Sequence, residues 1–403
     1  LTRDGRLLFG TRMVRLFAYG FLSVVLALYL AEMGLSQRQI GALLTLTLAG
    51  DAVIALAIAS IADRVGRRRM LVIGSGLVVF AGLVFALTEN VALLTLAAIL
   101  GTISPSGNEV GPFLSIEQAA LPQTAPDSRR TQVFAWYNVI GSFSTATGAL
   151  CGGGLSALLQ AVGRSPLESY RAVVVGYALL GVALGWLFSR LSPAVEVIPQ
   201  RDSTPAAAWL GLHRSRGVVF RLAMLFALDA FAGGLVVQSL VAYWFHVRYG
   251  VEPAVLGSVF FGSNILAGLS ALAAARIAAR IGLINTMVWT HIPSNILLMC
   301  VPLMPTLALA ILVLLARFSI SQMDVPTRQS YIMAVVEPDE RSAAAGITTI
   351  VRTAASAFSP ILTGMLLGAS LLSVPFFLAG GLKIAYDVSL YRRFHALKPP
   401  EEA

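Results

Sequence analysis

The chain has 403 residues, 57% of them hydrophobic and 12% charged. That charged fraction is about half the level of a soluble domain, which excludes the two or three soluble domains the length alone would suggest. The formal net charge of +9 does not mark a nucleic-acid partner, because the basic residues gather in clusters between apolar runs, as membrane topology requires.

A window of about 19 residues separates about twelve apolar spans. The first, near 8–31, follows a few basic residues and has no A-x-A-like cleavage site, so it reads as a retained helix. The second, 39–60, carries Asp51, and the third, 70–88, carries no charge. The fourth, 91–120, is interrupted by Pro105, Gly107, Gly111 and Pro112 around Asn108 and Glu109, with Glu117 further on. Helix breakers at membrane depth are tolerated only where backbone groups meet protein or cavity water. Residues 105–112 are therefore expected to form an irregular cavity wall, with Glu109 as a proton or cation site. The fifth span, 130–158, contains Asn138, Ser142 and Thr145 and the run Gly148-Ala149-Leu150-Cys151-Gly152-Gly153; the sixth is 171–190.

A polar linker, 191–217, with Pro193, Pro199 and Pro205, divides the chain into 1–190 and 218–403. Its apolar stretch 206–213, containing Trp209, reads as an interfacial helix. Six more spans follow, near 218–246, 254–279, 283–302, 306–335, 341–368 and 371–393. Their charges are Asp229 in the seventh, Arg317, Asp324 and Arg328 in the tenth, Arg352 in the eleventh, and Lys383 with Asp387 in the twelfth. Charge inside hydrocarbon costs at least about 2.5 kcal/mol per residue and should face a partner or a cavity. On helical spacing, Arg317 and Asp324 share a face, Asp229 is expected opposite Arg317, and Lys383 and Asp387, at i,i+4, are expected to neutralise each other. His291, alone in the ninth span, reads as a hydrogen-bonded structural residue. Cys151 and Cys300 lie in apolar segments without metal-ligand spacing.

The clusters Arg64/Arg67–69, Arg129/Arg130 and Arg201/Arg214/Arg216 fall on one side and the sparser Arg38, Arg164, Arg171 and Arg248 on the other, which places both termini in the cytoplasm. The halves also repeat. Pro126-Asp127-Ser128-Arg129 matches Pro338-Asp339-Glu340-Arg341 at an offset of 212 (338 − 126), and Gly34, Gly41 and Gly66 match Gly250, Gly257 and Gly282 at 216 (250 − 34).

The loop Ala59-Ser60-Ile61-Ala62-Asp63-Arg64-Val65-Gly66-Arg67-Arg68-Arg69 resembles the G-x-x-x-D-R-x-G-R-R/K loop of the major facilitator superfamily, with Ala59 at the usual first glycine. The resemblance implies an all-α polytopic fold: about twelve transmembrane helices in two pseudo-symmetric six-helix bundles around a central cavity, lined by the first, fourth, seventh and tenth helices. It implies a monomeric secondary transporter of a small solute in a bacterial inner membrane, working without a cofactor. Asp63, Arg64, Gly66, Arg67 and Arg68 would form its cytoplasmic conformational-switch loop, and Asp51 and Arg352 an inter-bundle gate. Asp229, Arg317, Asp324, Glu109, Asn108 and Glu117 are the expected proton-coupling and substrate residues. The 148–153 run resembles the G-P-x-x-G-G motif of drug and proton antiporters, with Ala149 in place of proline, which favours export by proton exchange. Proton-coupled uptake and a non-transporting receptor or scaffold are the alternatives. No phosphate loop, nucleophile elbow or zinc-binding histidine pair occurs, so no enzymatic activity is expected.

Overall fold

A computed structural model gives the fold and describes residues 2–109, 113–121, 130–196, 212–337 and 340–395. The expected interfacial helix at 206–213 lies outside these residues apart from its last two positions. So do Gly111, Pro112, the 126–129 repeat segment and the side chains of Asp63 and Arg64.

Among the described residues there is no strand. The helices are α1 (Arg3–Ser23), α2 (Leu26–Glu32), α3 (Gln37–Val65), α4 (Arg67–Leu87), α5 (Val91–Leu100), α6 (Phe113–Ala120), α7 (Arg130–Ala161) and α8 (Pro166–Ser189). After the linker come α9 (Arg216–Gly234), α10 (Gln238–Tyr249), α11 (Pro253–Ile281), α12 (Leu283–Cys300), α13 (Leu307–Phe318), α14 (Asp324–Val335), α15 (Arg341–Ala357), α16 (Ser359–Gly368) and α17 (Val374–Phe394). Seven of the described spans are long and apolar enough to cross a membrane, eight if α1 and α2, bent by 42°, count as one. Twelve spans are reached once α5–α6 and α13–α14 are each taken as one broken span and the long, more polar α7 and α17 are counted as spans too.

Local chemistry sets the boundaries. Ser36 with Gln39 and Ser165 with Glu168 form capping boxes on α3 and α8, and the Asn90 side chain accepts from Ala92 and Leu93 to start α5. The repeat is visible in backbone conformation: Gly34 and Gly250 have φ of 85° and 67°, and Gly66 and Gly282 have φ of 115° and 86°. Each member of both pairs needs the positive φ that glycine adopts without strain.

The chain forms two compact units, Leu1–Pro199 with Val237–Asn264, and Gln200–Val236 with Ile265–Ala403. In the first, α1 lies on α7 through glycine. A Cβ at Gly148 or Gly152 would sit 2.1 Å from the carbonyl oxygen of Phe17 or Phe21, and one at Gly20 the same distance from that of Thr145. Such small-residue seams replace the missing hydrophobic drive between helices in lipid. Val237–Asn264 joins this unit because Ser239 N–H donates to the Pro105 carbonyl (3.0 Å), Gln238 to Ser23 Oγ (2.8 Å) and Gln37 to the Tyr243 hydroxyl (3.1 Å). In the second unit, α9, α12, α14 and α17 close on Leu222, Phe226, Met287, Tyr331, Tyr386 and Leu390. Large apolar side chains such as Leu87, Leu179 and Phe220 are exposed, a surface that requires lipid.

Candidate functional site

The helix breaks create the site. In the fourth span the chain leaves helical geometry at Gly101, and three of the freed carbonyls accept from side chains. Thr102 O accepts from the Tyr177 hydroxyl (2.6 Å), Asn108 O from Ser104 Oγ (2.7 Å), and Gly107 O from Thr145 Oγ1 (3.3 Å). That satisfies the condition for irregular backbone within a membrane. In the seventh span the break after Gly234 is covered the same way: Ser359 Oγ donates to Phe231 O (2.6 Å) and Thr363 Oγ1 to Leu235 O (2.7 Å).

The first unit holds a four-membered charge cluster beside its break. Arg15 grips Glu117 with two bonds, Nη1 to Oε1 at 2.8 Å and Nη2 to Oε2 at 2.6 Å, and its Nε reaches Glu109 at 2.7 Å. Arg12 Nη1 binds the other oxygen of Glu109 at 2.8 Å and lies 4.2 Å over the Tyr137 ring. Thr11 and the Tyr137 hydroxyl complete the shell of Glu117. Glu109 is the more exposed carboxylate of the cluster, at 15% against 0% for Glu117. Asn138 accepts from Arg12 at 3.3 Å, and Asn108 is exposed. Arg12 and Arg15 were absent from the expected site because they resemble the basic flank of a first span. Their signal was spacing: i,i+3 on one face, inside an otherwise uncharged run.

The second unit is built around Asp229 of α9. Lys383 Nζ lies 2.5 Å from Oδ1, and Arg328 and Arg352 reach Oδ2 through their Nη1 atoms at 3.2 and 3.1 Å. Arg328 also binds Asp324, one turn earlier on α14, at 2.8 Å. His291 donates to or accepts from Asp387 at 2.9 Å and comes within 3.9 Å of Asp229; Asn295 donates to Asp387 at 3.2 Å.

Two expected pairings, Asp229–Arg317 and Lys383–Asp387, are therefore replaced. Asp229 does not pair with Arg317, and Arg317 does not share a face with Asp324, because α13 ends at Phe318 and a new helix begins at Asp324. Helical spacing loses its meaning across that break. Arg317 makes no ion pair among the described residues; its guanidinium lies 4.8 Å over Phe318 and its Nε has no hydrogen-bond partner. Lys383 turns to Asp229 rather than Asp387, and Asp387 is taken by His291. Arg352, expected at a gate with Asp51, bonds within its own unit; Asp51 is buried in α3. In α11, Asn264 donates to Gln238 and Ser263 is buried.

The two clusters are related. Arg15 and Asp229 are 214 positions apart (229 − 15), and Glu117 and Arg328 are 211 apart (328 − 117), both close to the repeat offsets. Each half thus couples its first and fourth spans through buried charge, with the signs exchanged: cation to carboxylate in one, carboxylate to cation in the other.

The turn between α3 and α4, expected as the switch loop, is held by a residue that the sequence pattern does not single out. Glu196 accepts from the N–H groups of Arg67 (2.6 Å) and Arg68 (3.2 Å), capping α4 directly after Gly66, and Arg68 Nη2 donates to Ser189 O at 2.6 Å. Glu340 acts alike in the second unit. Its carboxylate accepts from the N–H groups of His213, Arg214 (2.7 Å) and Ser215 (2.8 Å) at the start of α9. Burial pushes the Glu340 carboxyl up, but the Ser215 hydroxyl and those three N–H groups outweigh it and bring it down to about 2.

An all-helical membrane protein with buried ion pairs at the breaks of its spans is thus defined. The sequence profile described as Major Facilitator Superfamily matches residues 8–360, and the chain belongs to that superfamily. It is 30% identical over 418 residues to the uncharacterized membrane protein YJR124C of Saccharomyces cerevisiae, covering 96% of this chain and 93% of that protein. Among solved structures, the nucleoside transporter NupG superimposes with a TM-score of 0.72 at 14% identity, covering 98% of this chain and 99% of the other. A D-xylose–proton symporter gives 0.72 at 15% (96% and 97%), and a bacterial homolog of the human lysosomal transporter Spinster 0.68 at 17% (96% and 94%). At these identities the structural likeness establishes the fold alone.

Proposed function

We propose that the chain is a secondary transporter that moves a small solute by alternating access and couples the movement to protons. Residues 1–190 and 218–403 serve as the two moving halves, 191–217 as a cytoplasmic linker, and the monomer is sufficient. The observation that supports this most is Asp229: a carboxylate 4% exposed inside a span, shared by cations from α14, α15 and α17. A static ion pair needs one partner. A carboxylate bonded to three helices has bonds to lose whenever one of them shifts, and a proton neutralises it when they do. Glu109, the more exposed carboxylate of the first unit's charge cluster, is the second candidate for proton binding.

Two directions have separate support. Export by exchange for protons rests on the 148–153 run. Its glycines also have a packing role, since Gly148 and Gly152 meet α1 and a Cβ at Gly153 would lie 2.3 Å from the Pro253 carbonyl oxygen. Uptake together with protons rests on the cations around Asp229, which leave a positive site once that carboxylate is protonated. The test is flux in liposomes under an imposed pH gradient, for a panel of solutes, with wild-type chain and Asp229→Asn. Proton-driven flux that the substitution abolishes at equal protein level supports the proposal. Unchanged proton dependence in the variant defeats the coupling, and no flux of any solute favours the receptor or scaffold alternative.

A further inference from the structure

We infer that the solute is a small organic monoanion, whose carboxylate takes the place of Asp229 on Arg352 while a proton takes the place of Arg352 on Asp229. The inference rests on the transport reading above and gives it a substrate class.

It begins from which charged groups in the second unit are already filled. Asp387 is occupied by His291 and Asn295, and Asp324 by Arg328. Lys383 and Arg328 are 10% and 7% exposed and sit hard against their carboxylates. Arg352 differs on both counts. It is 28% exposed, and among the described residues its side chain makes one hydrogen bond, from Nη1 to Asp229 Oδ2 at 3.1 Å. A guanidinium has five N–H donors in a planar fork, the shape that binds a carboxylate through two parallel bonds. Arg15 shows that full grip on Glu117 in the first unit; Arg352 holds Asp229 by one nitrogen only. The rest of its fork is open to a ligand.

Charge selects the ligand. The groups that face Asp229 are Arg328 and Asp324 from α14, Arg352 from α15, His291 from α12, and Lys383, Tyr386 and Asp387 from α17. With His291 counted as uncharged, the three aspartates and the three cations ion-paired around Asp229 cancel; Arg317, which acts on Asp324 electrostatically but bonds no carboxylate among the described residues, stands outside this set. A proton on Asp229 leaves one positive charge, which one monoanion removes. A dianion or inorganic phosphate would leave buried negative charge, and a cationic solute would meet no carboxylate that is not already bonded. Uncompensated charge at this depth is the costly outcome, so proton and monoanion bind as a neutral pair. Asp229 that has lost Arg352 takes the proton, and Arg352 that has lost Asp229 takes the solute.

The experiment measures binding by thermal shift with the purified full chain, at pH 5.5 and 7.5, using glycolate, lactate and pyruvate against lactamide, succinate and phosphate. The same solutes are followed in liposomes by counterflow and by accumulation under a pH gradient. Monocarboxylates are expected to bind, with affinity rising up to about tenfold for each unit the pH falls, since one proton enters with each anion. Arg352→Gln is expected to weaken them by at least about tenfold and Arg352→Lys by less, because lysine keeps the charge and loses the fork. Asp229→Asn is expected to bind equally at both pH values and keep counterflow while losing accumulation. Should that variant fail to fold, Asp229→Glu is expected to retain the pH-dependent binding. Preference for lactamide, succinate or phosphate, or full affinity in Arg352→Gln, overturns the inference. Proton-driven flux of an unrelated solute, lost in Asp229→Asn, overturns the substrate class and spares the transport reading. Monocarboxylate binding without flux in any gradient overturns transport and spares the site.

Discussion

Arg15 and Glu117 are joined by two parallel bonds of 2.8 and 2.6 Å, and neither side chain has any exposed surface. Pairs of this kind are costly to break singly: without Arg15, Glu117 is a buried charge with no cation, and without Glu117, Arg15 keeps only its Nε contact with Glu109. Arg15→Leu or Glu117→Leu should each destabilise the first unit by ~3–5 kcal/mol. The double variant should recover much of that loss, since it leaves neither charge behind. Thermal unfolding of the detergent-solubilised chain checks this. Equal midpoints for the single variants and wild type would refute it.

The glycine seam between α1 and α7 makes a second test with an internal control. Gly148→Ala places a Cβ 2.1 Å from the Phe17 carbonyl oxygen, an overlap that only moving a helix relieves. Gly154, six residues on in the same helix, has nothing within 4 Å of its added Cβ. Gly154→Ala should therefore stabilise by up to about 1 kcal/mol through helix propensity, while Gly148→Ala lowers the unfolding midpoint. The opposite sign of the two changes is the diagnostic result.

Much of this fold is legible in the sequence, and what is not has a physical reason. Length and hydropathy give the spans, and glycines at matched positions give the repeat, because positive φ restricts which residue can stand there. Asp229, Asp324, Glu109 and Glu117 stand out as charge within apolar runs, and the structure brings each into a cluster. Partner choice was not legible. Helical spacing assumes a continuous helix, and the span containing Arg317 and Asp324 is broken between them. Arg12 and Arg15 escaped notice because arginine near the start of a first span looks like a topology signal. Glu196 and Glu340 escaped because their partners are backbone N–H groups, which leave no residue-type signature.

Glu340 supplies a prediction about pH. Its folded value of about 2 lies below the ordinary glutamate value of about 4.3. The cap's contribution is thus complete above the unfolded value and declines as pH falls from there through about 2. Hydrogen exchange of the amides of His213, Arg214 and Ser215 should stay protected from pH 7 to near 4 in the wild-type chain, after correction for the intrinsic rate. Glu340→Gln keeps the shape but loses the charge, and should expose these amides across the whole range. Protection that vanishes in the wild type between pH 6 and 5 would refute the assignment of the cap to the Glu340 carboxylate.

The tenth span separates two arginines that sequence alone treats as equals. Arg328 bonds both Asp229 and Asp324, so Arg328→Leu strands two carboxylates that are 4% and 6% exposed. Removing one partner from a buried pair costs ~3–5 kcal/mol, and here two pairs share the cation. Loss of folded protein, or of all flux in what does fold, is the expected result. Arg317 has no ion pair among the described residues, and its Nε is buried without a hydrogen bond. Arg317→Leu removes a desolvated donor and leaves no carboxylate behind, so it should be neutral or stabilising. Expression and unfolding midpoints of the two variants, measured side by side, decide the matter. If Arg317→Leu proves as damaging as Arg328→Leu, then the electrostatic pull of Arg317 on Asp324 is itself structural, and the charge count that assigns a monoanion to Arg352 must include Arg317.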